Sequence, residues 1–419
     1  MSWPRPQALP EPAPRSSLSC EPILPMETWT VIERIWTGHR SVSIAVSAIV
    51  VVAIVAVSVL VVVRPGGTAQ ASATPSGSQL AIASPSSSAS LTPLPSPSDT
   101  AAASATPGAS ATPGADWVYS DLDGVLAPKD LAHRLPMAIM VDDNAAARPQ
   151  SGFSSASIVY QAPADGGEDR YMMVFQEGAA TDIGPVRSAR PYFVYWAAEY
   201  KALYGHFGGD VKALQQVIPA NLKNIYNMDD LSGGSCPYHR IDTRTAPHNA
   251  YTNSAVLVTC AAKMGYPATY QNLPVRTFKD DLPLSQRPAT QSIWVPYRTG
   301  LVSYIFDPAS DSYLRLVAGH YQIDLANGQQ VKARNVIVLF QSVTTDSVTE
   351  PGHNRPVVAN VGTGKAIVFL EGKAIVGTWK KTSNTALTRL YDSSGKEIPL
   401  VRGEIFIQSV PIGTAVTYK

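Results

Sequence analysis

The chain has 419 residues, 33 Lys and Arg against 32 Asp and Glu, and a formal net charge of +1. It carries no basic block and no basic stripe interleaved with aromatic residues, which excludes the usual signature of a nucleic-acid binder. The length allows two or three domains at most.

In chain order, residues 1–40 form a short head whose first part is proline-rich and reads as structureless. Met26 leads from it toward the apolar run and is an alternative start. The run itself, Ser41 to Val63, has no charge and consists mostly of Val, Ala and Ile. At helical rise it is long enough to cross a bilayer core, which needs roughly 20 residues. Arg34, His39 and Arg40 precede it, and after Arg64 the next Lys or Arg is Lys129. That asymmetry predicts a cytoplasmic head and an extracytoplasmic body on a single-pass helix over 41–63. A cleaved signal peptide is the competing reading, with Ala69-Gln-Ala71 as a small-residue site, but its apolar region is normally about 7–15 residues.

Residues 64–116 are Ser, Thr, Ala, Pro and Gly with almost no charge. Such a stretch cannot bury enough apolar surface to offset its ordering entropy, so a disordered, extended stalk is expected. From Trp117 the composition becomes globular. Apolar runs at Met137–Val141, Ile158–Gln161, Tyr171–Phe175 and Leu203–His206 predict strands, and Pro191–Leu203 and Ser254–Met264 predict helices. Beyond about residue 290, strand-like runs dominate: Ile293–Val295, Val302–Phe306, Val336–Phe340, Lys365–Leu370, Lys373–Trp379 and Glu404–Ser409. Phe369–Lys373 reads as a hairpin turn and Asp392–Gly395 as a turn. The expected fold class is α+β: a mixed α/β domain over 117–275, then a mainly β domain over 290–419. Of the three cysteines, Cys236 and Cys260 fall on the predicted outer side, where a disulfide persists. Two separate buried thiols are the other reading.

Several clusters carry chemistry. Asp142, Asp143 and Asn144 end an apolar strand, followed by Arg148. They are either site residues at a strand end or an ordinary turn and helix cap. Gly166-Gly167 before Asp169 and Arg170 reads as a hairpin loop. Arg187, Ser188 and Arg190 stand just before Pro191, a residue suited to a helix start. Two guanidinium groups beside free helical amides make an anion site, whereas pairing with Asp142, Asp143 or Asp169 makes a structural ion network. His206 precedes a Gly-Gly-Asp, and His248-Asn249 follows Ala-Pro. Both histidines are candidate acids or bases. A metal site from His206, Asp210, His239 and His248 lacks the spacing of known metal motifs, and no cofactor fingerprint, P-loop or GxSxG elbow is present.

These stretches form a recognisable series. Ala138–Asn144 with Ala147–Gly152, Ile158–Pro163, Ile183–Tyr192, His206–Gly209 and Ala246–Asn249 resemble the bacterial DUF3048, or YerB-like, family, as do Gly362–Ala366, Gly377–Lys381 and Gly395–Glu397. The resemblance spans about Leu131 to Val410 and implies two domains and an extracytoplasmic, membrane-associated protein, but no established reaction. Gln161 stands where the family motif usually has Glu, and an apolar run replaces the lipid-modified Cys of lipoprotein members.

The resulting expectation is a membrane-anchored envelope protein that binds an anion, either a wall-polymer phosphate or a peptide carboxylate. Arg148, Arg170, Arg187, Ser188 and Arg190 are the expected ligand-binding residues, with Asp142 and Asp143 orienting the arginines. The rival expectation is an envelope hydrolase or transferase, with catalytic candidates among Asp142, Asp143, His206, His248 and Asn249. A third is a scaffold for other envelope proteins. No cofactor and no metal are expected.

Overall fold

The computed structural model describes residues 116–229, 238–270, 272–289 and 291–419. The apolar run over 41–63 and the Pro/Ser-rich segment over 64–115 lie outside the described residues, as do Cys20 and Cys236. Among the described residues no helix is long and apolar enough to cross a membrane. Cys260 is disulfide-bonded.

The described residues are mostly β, with a few short helices. The strands that matter below are β1 (Met137–Asp142), β2 (Ile158–Pro163), β3 (Asp169–Phe175), β4 (Leu203–His206), β5 (Tyr226–Asp229), β6 (Ser292–Tyr297), β7 (Gly300–Asp307) and β8 (Ser312–Val317). They continue with β9 (Asn335–Gln341), β10 (Val343–Asp346), β11 (Arg355–Val358), β12 (Gly362–Leu370), β13 (Lys373–Lys381), β14 (Arg389–Asp392) and β15 (Ile405–Pro411). The principal helices are α1 (Pro191–Ala197) and α2 (Ser254–Lys263).

Ten strands form one sheet in the order β14-β13-β12-β9-β15-β2-β3-β1-β4-β5. Five come from each of the two segments that the sequence divides at about 275–290, so those segments share a sheet. Their seam is the parallel pair β15–β2, with Ile405 opposite Ile158 and Gln408 opposite Gln161. Joining them is physically reasonable: β15 is buried along Ile405–Val410 and β2 along Ile158–Ala162, so neither serves as an exposed edge.

Both faces of this sheet are covered, which is why β1, β3 and β9 read as near-continuous apolar runs. Alternation sorts the residues of each strand. Ala138, Met140, Met172 and Val174 join a core with Tyr192, Phe193 and Trp196 of α1. Met137, Ile139, Val141, Tyr171 and Met173 join a second core with Ile293, Val302 and Tyr304 of a six-stranded sheet built around β6, β7 and β8, and with Leu257 of α2. The first face is hereafter the α1 face and the second the β-sheet face.

The expected helix from Pro191 is shorter than its pattern implied. It ends at Ala197, continues as one tighter turn to Tyr200, and closes at Lys201 with a left-handed φ of 47°. The hairpin after Leu370 turns through Glu371 and Gly372, with φ of 53° and 69°, the positive values of a two-residue turn that matches strand twist.

Candidate functional site

The pleat sends the adjacent aspartates at the end of β1 in opposite directions. Asp142 lies opposite Arg170 on β3 and follows Ala138 and Met140 on the α1 face. Asp143 turns toward the β-sheet face. Both are fully buried.

On the α1 face, Asp142 Oδ2 lies 3.0 Å from Arg187 Nε and 2.7 Å from His248 Nδ1. Its other oxygen accepts the Asn144 backbone N–H at 3.1 Å. Arg187 is held by its own backbone, whose N–H donates to the Met140 carbonyl at 3.0 Å. Burial pulls its guanidinium below the usual arginine range, and neighbouring Arg170 adds to that. Arg170 is only 2% exposed. It donates one hydrogen bond, to the Ser188 carbonyl at 3.2 Å, and its Nε has no partner. It makes no ion pair among the described residues. Glu168 acts on Arg187 at longer range and accepts a hydrogen bond from Asn144 Nδ2. Two guanidinium groups thus stand near each other with one close carboxylate, which is also shared with a histidine. His248 Nε2 makes no hydrogen bond among the described residues.

On the β-sheet face the chemistry is closed. Asp143 Oδ1 accepts from Arg148 Nε at 3.0 Å and from its terminal nitrogen at 2.8 Å, a two-pronged contact. Gln161 Nε2 donates to Asp143 Oδ2 at 3.0 Å, and Gln161 Oε1 accepts from Arg315 at 2.7 Å. Arg315, on β8, is fully buried and also donates to the hydroxyls of Tyr171 and Tyr304, each at 3.1 Å, and to Gln322. Gln322 in turn reaches Gln150, which donates to the Asp142 carbonyl at 2.9 Å. Burial pushes the Asp143 carboxyl up, against the pull of Arg148 and Arg315. Gln161 occupies a position only an amide fills without a charge change, since it donates on one side and accepts on the other.

The other expected residues fall elsewhere. Arg190 is 5% exposed and ion-pairs with Asp165, which is shared with Arg355 at 2.5 Å, and more loosely with Asp210 at 3.6 Å. The amides around Ser188 are spent internally: Ala189 N–H donates to the Gly208 carbonyl at 2.8 Å, and Phe193 N–H to the Arg190 carbonyl at 3.1 Å. A helix of this length therefore adds no amide cradle, and among the described residues the hydroxyl of Ser188 makes no hydrogen bond. His206 is buried with both ring nitrogens engaged, by the Gly208 carbonyl at 2.8 Å and Asn227 Oδ1 at 2.9 Å. Asn249 ties its own loop, accepting from Arg240 at 2.5 Å and donating to the Ile241 carbonyl at 3.0 Å. Asn144 caps the turn Ala145–Ala147 through Ala146 N–H at 2.8 Å. Among the described residues no group of three His, Cys, Asp or Glu is placed to hold a metal.

Arg315, Gln150 and Gln322 were not legible as site residues. Each sits in an ordinary strand or loop pattern; Gln150 reaches Asp143 through the loop after β1, and the packing of β8 against β2 and β3 brings Arg315, with Gln322 beside it, to the same network. Arg244 belongs with them: it clamps the loop after Asp143 by donating to the carbonyls of Ala147 and Pro149, at 2.5 and 2.7 Å.

Comparison with known proteins shows the family of the chain and similar folds. YerB of Bacillus subtilis (strain 168), whose name proposes a lipoprotein, is 30% identical over 296 residues, 69% of this chain and 85% of YerB. The crystal structure of the YerB protein from Bacillus subtilis superposes with a TM-score of 0.64 at 26% identity, covering 72% of this chain and 99% of that one. Residues 122–267 match the N-terminal domain, and residues 293–407 the C-terminal domain, of the family described as protein of unknown function (DUF3048). With both domains matched in order, and together spanning more than half of the sequence, the chain belongs to the DUF3048 family.

Proposed function

We propose that this is a membrane-associated, extracytoplasmic envelope protein whose α1-face site binds an anion, a wall-polymer phosphate or a peptide carboxylate. The observation that carries this reading is Arg170: an almost fully buried guanidinium with no ion pair, an unpartnered Nε, and a second arginine beside it. A buried cation without a partner is costly, and an anion bridging Arg170 and Arg187 supplies one. Arg187, with a fifth of its side chain exposed, is the contact group, and Arg170 lies behind it. Asp142 orients Arg187. Arg148 and Arg190 support the surrounding loops through their own carboxylates. The envelope location is supported by the apolar run at 41–63 and by the name of the Bacillus relative. Titration calorimetry of the full-length chain with methyl phosphate and with N-acetyl-dialanine tests the site. Arg187→Ala and Arg170→Met are each expected to weaken binding by about tenfold or more, while Arg190→Ala changes it little. Equal affinity of wild type and Arg187→Ala removes the proposal.

A second reading has one observation behind it. The Asp142–His248 contact at 2.7 Å orients an imidazole whose other nitrogen is unengaged, the arrangement of a general base. Under that reading, hydrolysis of bis(p-nitrophenyl) phosphate is measurable and is lost in His248→Gln, which leaves anion binding intact.

A further inference from the structure

A groove beside the β-sheet face is lined by none of the arginines of the α1-face site and shares only Glu168 with their surroundings. It has a volume of about 420 Å³, within the range of small-ligand sites, and runs between the loop joining β2 to β3, the β6–β7 turn and the β10–β11 pair. Its floor holds Asp169, 2% exposed, whose one carboxyl oxygen accepts from the Thr299 hydroxyl. The Thr299 backbone N–H also bonds to this carboxyl. Burial pushes this carboxyl up to about 7. Near neutral pH it therefore exchanges between a protonated form, which both donates and accepts, and a carboxylate, rather than standing as a fixed charge.

Arg298 lies over the backbone of Gly167, so close that a Cβ there would sit 2.8 Å from the guanidinium carbon. Gly167 has φ of 84°, and a side chain at this position would be both strained and in the way. Arg298 is exposed and makes no hydrogen bond or ion pair among the described residues. Thr345 and Asn354 line the rim, exposed and also without side-chain hydrogen bonds. The apolar part of the wall is four prolines and the ring of Tyr297, which its hydroxyl fixes to the carbonyls of Gln161 and Ser409 at 3.3 and 3.2 Å.

The charge balance selects the ligand. Glu168 offsets Arg298, and Asp169 adds no positive charge in either protonation state, so the groove has no net pull on an anion. Its unfilled groups are mixed donors and acceptors, set beside flat apolar surface. A hydroxyl- and amide-bearing neutral ring meets both requirements, because its polar edge pairs with the rim and its C–H face packs on proline and tyrosine. We infer that this groove is a saccharide-binding subsite for an uncharged, N-acetylated sugar unit, independent of the anion site on the α1 face.

Titration of the full-length chain with N,N′-diacetylchitobiose, and with cellobiose for comparison, tests it. Wild type is expected to bind the acetylated disaccharide saturably and more tightly than cellobiose. Asn354→Trp, an exposed position, fills the rim and is expected to weaken binding by about tenfold or more with an unchanged circular dichroism spectrum. Asp169→Asn, which keeps a donor and an acceptor, is expected to retain binding and flatten its pH dependence between about 6 and 8. Arg187→Ala is expected to leave disaccharide affinity unchanged, so loss of the anion site and loss of this one are read separately. Absence of saturable binding by wild type, or equal affinity in Asn354→Trp, overturns the inference.

Discussion

The two faces of the sheet at the end of β1 treat buried charge in opposite ways. On the β-sheet face, Asp143 is surrounded: Arg148 forks onto one oxygen, Gln161 caps the other, and Arg315 completes the charge balance from a different part of the chain. On the α1 face, the one close carboxylate, Asp142, is taken by Arg187 and His248, and the neighbouring Arg170 makes no ion pair among the described residues and keeps an unpartnered donor. The first arrangement pairs its charges, and the second leaves a buried guanidinium without an ion pair among the described residues. A filled polar network gives conformational definition, whereas unfilled donors next to a partly exposed cation provide binding capacity. Neighbours in sequence therefore sit in opposite electrostatic surroundings.

Removing Arg315 breaks this comparison most severely. Arg315→Met leaves Asp143 with Arg148 alone and strips Gln161 Oε1 and the Tyr171 and Tyr304 hydroxyls of their donor in a dry site, and unfolding in urea is expected to show a loss of about 3–5 kcal/mol. A loss below about 1 kcal/mol means the closed network does not hold the two segments together.

A second effect comes from carboxyls pushed up by burial on and near that face, Asp169 and Glu177, each to about 7. An unfolded Asp or Glu releases its proton near pH 4, so between about 4 and 7 the folded chain holds protons that the unfolded chain has lost. Stability therefore falls as pH rises through that window. Asp169→Asn removes one of these raised carboxyls, which also include Asp143, and is expected to reduce the slope of stability against pH; an unchanged slope assigns the titration elsewhere.

Next in size is Gln161→Glu. A carboxylate there keeps Arg315 but faces Asp143 without a donor, so one of the two acids must hold a proton. The expected loss is about 1–3 kcal/mol at pH 8 and less at pH 5, measured by denaturant unfolding at both values. Equal losses at the two pH values mean that the charge of the new side chain is not the cause.

The smallest expected effect sharpens the contrast. Arg170→Met removes a buried cation that has no ion pair, so stability without ligand is expected to stay within about 1 kcal/mol or to rise, while anion affinity falls. A loss as large as that of Arg315→Met makes Arg170 a structural residue and the two faces alike.

Much of the fold was readable in the chain. The strands at Met137–Asp142, Ile158–Pro163 and Leu203–His206, the helix from Ser254 and the strand-rich second half all follow from apolar period and turn residues. The helix from Pro191 was read too long, because the apolar pattern through Tyr200 continues past the point where the backbone tightens. The candidate residues were also found as motifs, but their grouping was not legible. Arg187 and Arg190, three apart, went to different carboxylates, Asp142 and Asp165. His206 and His248 read alike in sequence, yet one is locked by two acceptors and the other meets Asp142.

Local interactions explain this division. Whether a stretch extends, coils or turns depends on its own side-chain period, its glycines and its prolines, all of which are written in the chain. Which charges meet depends on pairings between distant segments. The β15–β2 seam joins Gln408 to Gln161, and the packing of β8 brings Arg315 to Asp143 across more than a hundred residues of chain. Sequence by itself determined the elements, the apolar run and the family. Tertiary structure alone decided which of two adjacent aspartates closes a core network and which one leaves two arginines short of a counter-charge, because successive residues of a strand point to opposite faces and meet whatever the fold has placed there.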